Sequence, residues 1–217
     1  MSGLINVSGA RSGIVGTTVA ADVGGSMVYL AKVEHTGSGT PVLTLDGYFT
    51  STYDHYKYIF SISAVHANTD ACIQFRSGGT RIGSLVNGTG TQGGDYRSVG
   101  DSAYNADTAD PPHNGFGRWD KSYILIGSQD QTNSAEWPVS GEMLLHHPLS
   151  TSKKKIVTSM SLSYNSGSPP SAIRNVNMAG ILDQATSVVL SGIEFKYDTS
   201  NSDTIKGTVS LYGIKNS

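Results

Sequence analysis

The chain has one cysteine, Cys72, in 217 residues, so no disulfide within the chain can staple its fold. Cys72 lies in Asp70-Ala71-Cys72-Ile73-Gln74-Phe75, an alternation that reads as strand, and is expected as a small core residue, not a nucleophile. Charge is scarce as well. Asp, Glu, Lys and Arg together make up 15 %, against roughly 25 % in an average soluble domain. The net charge is −2 and the sequence pI about 6.3, and the only cationic run, Lys153-Lys154-Lys155, suits a solvated turn. No nucleic-acid partner is expected. No stretch approaches the roughly 18 apolar residues of a membrane-crossing helix, and no membrane contact is expected. The opening Met-Ser-Gly-Leu-Ile-Asn-Val lacks the charged region and apolar run of a secretory signal, so a cytosolic site of synthesis is expected. A sustained 3.6-residue apolar period is missing too, and with it any convincing amphipathic helix.

What is abundant is glycine, 26 residues, above the usual level of roughly 7 %, with Ser, Thr and Asn beside it. These residues favour turns and short strands and penalise long helices. A chain of this length can bury roughly 70 % of its unfolded surface, enough for a core without staples. Residues 1–26, centred on Gly9-Ala10-Arg11-Ser12-Gly13, show no regular period and read as an extended arm. The regular body begins at 27–35, where Met27, Tyr29, Ala31 and Val33 share one face and Lys32 and Glu34 the other. Residues 41–49 give another strand. Tyr56, Tyr58, Phe60, Ile62 and Ala64 then alternate with Lys57, Ile59, Ser61, Ser63 and Val65, so the first set is expected to face the core. Short strands at 71–75 and 79–85 flank Arg76-Ser77-Gly78-Gly79, whose two glycines permit the positive φ angles of a hairpin turn. Residues 86–118 read as a long loop with at most a short strand near 96–99, functional or packed on a neighbour. Strands resume at 121–127 and 139–147. Ile156, Met160, Leu162 and Tyr164 alternate with Val157, Ser159, Ser161 and Ser163, and further strands are expected at 173–181, 189–197 and 205–211. About ten to twelve strands at 8–15-residue spacing predict an all-β, antiparallel, jelly-roll-like β-sandwich. It would form a single domain over 27–217, preceded by the arm 1–26.

The densest polar cluster is Tyr53-Asp54-His55-Tyr56-Lys57-Tyr58. With Tyr56 inward, a period of two sends Asp54 to one side and His55 to the other. A general acid–base pair needs heavy atoms about 2.6–3.2 Å apart, so these groups are read as finishing a loop and satisfying strand-end backbone. Gly88-Thr89-Gly90-Thr91-Gln92-Gly93 spells G-x-G-x-x-G but lacks the helix and βαβ unit that would aim peptide dipoles at a phosphate. His146 and His147 are adjacent and, on a strand, would point to opposite faces. His66 and His113 have no partner at ligand spacing. No G-x-S-x-G elbow occurs, and Glu136 and Glu142 cannot be placed as a carboxylate pair from sequence. No catalytic residue, metal or cofactor is therefore expected. Tyr53, Trp119 and Trp137 remain as candidate contacts for a glycan or a protein partner, since such rings are apolar on the face and polar at the edge.

Residues 53–61, then 68–79 ending Arg76-Ser77-Gly78-Gly79, resemble a pattern in small virion proteins of tailed bacteriophages: a YD-x-Y strand, an x-T-D turn and a strand ending before GG. Gly192-Ile193-Glu194-Phe195 and Gly207-Thr208-Val209-Ser210-Leu211-Tyr212-Gly213-Ile214 are similar to the G-I-x-F and G-T-x-x-LYGI close of the same proteins. Ile5-Asn6-Val7-Ser8-Gly9-Ala10-Arg11-Ser12-Gly13 is similar to phage structural openings. The resemblance covers roughly 50–79, 187–214 and the arm, and carries no catalytic residue. It implies a non-enzymatic virion protein, made in the host cytoplasm, that decorates or cements the capsid or forms a fibre of head or tail. The arm would attach it to major capsid or tail proteins through Ile5, Val7, Arg11, Ile14 and Val15. The low charge and the tyrosines suggest homo-oligomers, such as a trimer. The other expectation is a carbohydrate-binding module that recognises a host glycan through Tyr53, Trp119 or Trp137. A glycan-degrading enzyme ranks last, since no acid pair is legible.

Overall fold

The computed structural model describes residues 27–40, 42–64, 71–82, 96–105, 113–121, 123–127, 138–165, 172–182, 188–197 and 204–215. The arm 1–26, the glycine turn 88–93 and Trp137 lie outside the described residues. Among the described residues every regular element is a strand. They are β1 (Met27–Thr40), β2 (Leu43–Asp46), β3 (His55–Ala64), β4 (Ala71–Ser77), β5 (Thr80–Arg81), β6 (Tyr96–Asn105) and β7 (His113–Lys121). Then follow β8 (Ile124–Leu125), β9 (Val139–His146), β10 (Lys155–Asn165), β11 (Ala172–Leu182), β12 (Gly192–Tyr197) and β13 (Ile205–Ile214).

The strands make two antiparallel sheets. The larger runs β1-β13-β3-β9-β10-β11-β6-β7, and the smaller runs β2-β12-β4-β5 with β8 added beside β4. They pack face to face as a β-sandwich. β3 turns Tyr56, Tyr58, Phe60 and Ile62 inward and fully buries them, as its alternation predicts. The Phe195 ring of the opposite sheet fills the centre, its centroid 5.7 Å from those of both Tyr58 and Phe60. Val209 and Leu211 of β13 and Ile73 and Phe75 of β4 complete the same buried cluster. Each such side chain stabilises the fold by about 1.5–3 kcal/mol through apolar burial. Cys72 is buried among them. The turn after β4 is the expected tight hairpin: Ser77 pairs with Thr80, and Gly78 and Gly79 take φ of 55° and 79°.

Four features depart from strict alternation. In β1 the pairing slips between Tyr29 and Ala31. This bulge puts Met27 and Tyr29 on the outer face while Ala31 stays buried, so the four residues do not share a face as expected. The stretch 86–118 is not one loop: it contributes β6 and β7, which extend one edge of the larger sheet. In β10 the serines face inward and Ile156, Met160 and Leu162 outward. The cause is the close approach of 123–127: the Ser161 hydroxyl donates to the Ile126 carbonyl at 2.6 Å. A Cβ on Gly180 of β11 would meet Ile124 at 2.6 Å, so only small side chains fit there. Finally, every residue of β12 is buried, the polar Glu194 and Lys196 included.

Candidate functional site

The polar stretch before β3 closes one end of the sandwich. Residues 50–54 turn instead of continuing the strand. The Tyr56 hydroxyl accepts from the Thr50 amide at 2.6 Å and donates to the Thr50 carbonyl at 3.0 Å, which ties the turn to the strand it feeds. Burial, against those two hydrogen bonds, raises the Tyr56 phenol above its ordinary pKa. Because the chain bends there, Tyr53 does not join His55 and Lys57 on the outer face. Its ring lies over Gly213, where a Cβ would come within 2.6 Å of it, and stands edge-on to Tyr56 with centroids 5.9 Å apart.

Beside this turn three histidines converge. His55 and His146 are directly opposed across β3 and β9, and their Nδ1 atoms are 3.2 Å apart. His147 lies one residue past β9 and has φ of 49°, in the left-handed region that few residues without a glycine's freedom enter. That twist folds its ring back to 4.8 Å from the His55 ring. A strand would have sent His147 to the other face, so the expected divergence of His146 and His147 does not hold. The available signal was Pro148, which has no N–H to continue a ladder and ends the strand before it. Burial, then the charges of His55 and His147, lowers the His146 pKa. Burial, then Lys153 and His55, lowers that of His147, against a smaller upward pull from Asp54. Among the described residues no group of three or more His, Cys, Asp or Glu side chains is placed to hold a metal ion.

A second polar cluster sits on the smaller sheet. The Glu194 side chain is fully buried, and its Oε2 accepts from Arg76 Nη1 at 2.8 Å. Arg76 Nε donates to Asp46 Oδ2 at 2.8 Å, and its remaining nitrogen reaches the Gly79 carbonyl. Arg81 approaches Glu194 Oε1 as an ion pair, yet that oxygen receives no well-aligned hydrogen bond. Burial works to raise the Asp46 carboxyl, but hydrogen bonds from Ser191 and Arg76 and the guanidinium charge outweigh it, and its pKa lies below the ordinary value. The cluster joins β2, β12, β4 and β5 and reads as a structural clamp.

The outer face of the larger sheet is the third feature. Register aligns Ile59, Glu142 and Met160 in one row and Ser61, Ser140 and Leu162 in the next. Ile59, Ile156, Met160 and Leu162 are 40–53 % exposed. Lys57 pairs with Glu142 at 2.6 Å between them. Ile59 and Met160 flank Glu142 in one row, Leu162 lies beside Met160 in the next, and Ile156 sits two rows away beside His146, so exposed apolar and polar side chains are interleaved on this sheet face. β10's alternation carried its apolar residues, but not which way they faced.

Of the candidate contact residues, Tyr53 is half-buried in the end of the sandwich. Trp119 lies in the edge strand β7, with nothing described of its side chain. Trp137 and the arm residues Ile5, Val7, Arg11, Ile14 and Val15 lie outside the described residues. No protein-family model, no curated protein and no solved structure matches the chain.

Proposed function

We propose that this chain is a non-enzymatic structural protein on the exterior of a tailed-bacteriophage virion. In this reading it decorates or cements the capsid, or forms a short fibre, with the arm 1–26 as its attachment. The observation that carries the reading is the set of exposed apolar side chains Ile59, Met160 and Leu162, with Ile156 further along β10, on the outer face of the larger sheet. Large apolar side chains left exposed together on one sheet face suit a protein–protein contact. A second copy of the chain, or a major capsid or tail protein, would cover this face. The resembling segments also fall together: they supply β3 and β13, paired in one sheet, and β4 and β12, paired in the other. Repeated passage of the chain between the sheets, from β1 to β4 and again from β11 to β13, supports the jelly-roll-like description.

The mechanism is mechanical. A rigid sandwich presents its loops and its flat face, and an extended arm adds main-chain hydrogen bonds to a neighbour. Contacts that are weak singly gain from effective concentration across a symmetric shell. A host-glycan role draws less support, because the Tyr53 ring is packed over Gly213. The test is deletion of residues 1–20 followed by purification of particles. Truncated protein should be lost from them, and incorporation at the normal level would refute attachment through the arm. Activity on host polysaccharide that disappears when one carboxylate is replaced would refute the non-enzymatic reading.

A further inference from the structure

The histidine cluster is placed where the two sheets are tied together. The His147 amide donates to the Asp54 carbonyl at 2.9 Å, which holds the end of β9 to the approach of β3. One residue on, the Pro148 carbonyl accepts from the Leu190 amide at 3.0 Å. Leu190 is buried and leads into β12 through Ser191, whose amide bonds the Arg76 carbonyl at 2.8 Å. The segment at His147 and Pro148 thus connects the larger sheet to the central strand of the smaller one.

We propose that His55, His146 and His147 form an acid-released latch on this connection. Two Nδ1 atoms 3.2 Å apart need one N–H donor and one bare acceptor. A neutral pair meets that need, and so does a pair carrying a single positive charge. A second proton leaves two N–H groups facing each other and two imidazolium charges in contact. The His147 ring, 4.8 Å from that of His55, adds a third charge. Among the described residues the charged groups on the surrounding elements are Asp54 before β3, Lys153, Lys154 and Lys155 at the turn into β10, and Lys215 after β13. Lys57, further along β3, is paired with Glu142. The cross-strand partners Ile156 and Ile214 bring no charge. Among these groups one carboxylate therefore stands against up to three imidazoliums and several lysines. With His146 and His147 both held below the ordinary value of 6.5, the open form takes up protons first as the pH falls, so acid drives opening. The rings part, His147 leaves its left-handed conformation, and the Pro148–Leu190 tie breaks. The latch does not depend on where the protein is used.

The test is amide hydrogen exchange of the full chain, read as protection factors at pH 7.5 and 5.0. In the wild type, protection of the His147 and Leu190 amides should fall about tenfold or more, one tenfold step for each pK unit of differential protonation. The β3–β13 ladder should keep its protection. In the His146→Gln, His147→Gln double variant, the fall at Leu190 should shrink to less than about twofold on the same scale. An undiminished fall in the variant, no fall in the wild type, or an equal loss across the β3–β13 ladder would overturn the latch. Should the variant not fold, a histidine NMR titration of the wild type decides. His146 and His147 should titrate below the ordinary value, and curves for both at that value would refute the proposal.

Discussion

Replacing Arg76 by Met tests the clamp on the smaller sheet. The substitution keeps much of the aliphatic stem but removes the guanidinium that serves Asp46 and Glu194. Asp46 is only partly buried, with about a fifth of its side chain exposed, so its loss is the smaller of the two. Glu194 is different: its side chain is 0 % exposed, and breaking one side of a buried pair costs about 3–5 kcal/mol because a bare charge stays behind. Arg81 still reaches Oε1, which lowers the expected cost to about 2–4 kcal/mol. Glu194→Gln removes the charge, so the double variant should be less destabilised than the two single changes added together. Guanidinium unfolding of the four proteins in a double-mutant cycle should give a coupling of about 2 kcal/mol. A coupling under about 0.5 kcal/mol, with Arg76→Met costing under about 1 kcal/mol, would refute the claim that a buried carboxylate depends on this arginine.

Phe195→Ala removes the ring between Tyr58 and Phe60 and should cost about 3–5 kcal/mol in the same unfolding assay. Gly213→Ala places a Cβ against the Tyr53 ring and should cost about 1–3 kcal/mol, part of it recovered when Tyr53→Ala is added. Tyr56→Phe should lose about 0.5–1.5 kcal/mol with the Thr50 hydrogen bonds. Cys72, buried between the sheets, should resist thiol reagents in the native protein and react at the rate of unfolding.

The sequence made β3 legible because one face carries only apolar residues and the other none that must be buried. The hairpin after β4 was legible because only glycine enters two successive positive-φ positions without strain. Sense was harder to read where the partner decides it. In β10 the more apolar set faces out, since beyond Val157 the backbone at Ile126 takes the space inside and admits only serines. In β1 one extra residue inverts the faces, and nothing in Tyr29-Leu30-Ala31 announces a bulge. Glycines and polar residues hid β6 and β7, where β6 is paired by β11 and β7 by β6, and their own composition does not announce it. The histidine cluster needed two facts at once, the His55–His146 register and the left-handed turn at His147. Local alternation contains neither.

The claim that a second copy of the chain covers the face of the larger sheet is tested most directly by sedimentation velocity of the purified chain beside a Met160→Glu, Leu162→Lys variant. The wild type should sediment as an oligomer that dissociates on dilution. The variant should sediment as a folded monomer, its circular-dichroism spectrum unchanged, because both side chains are about half exposed at their own positions. A wild type that is monomeric at every concentration, or a variant that assembles just as well, would contradict it.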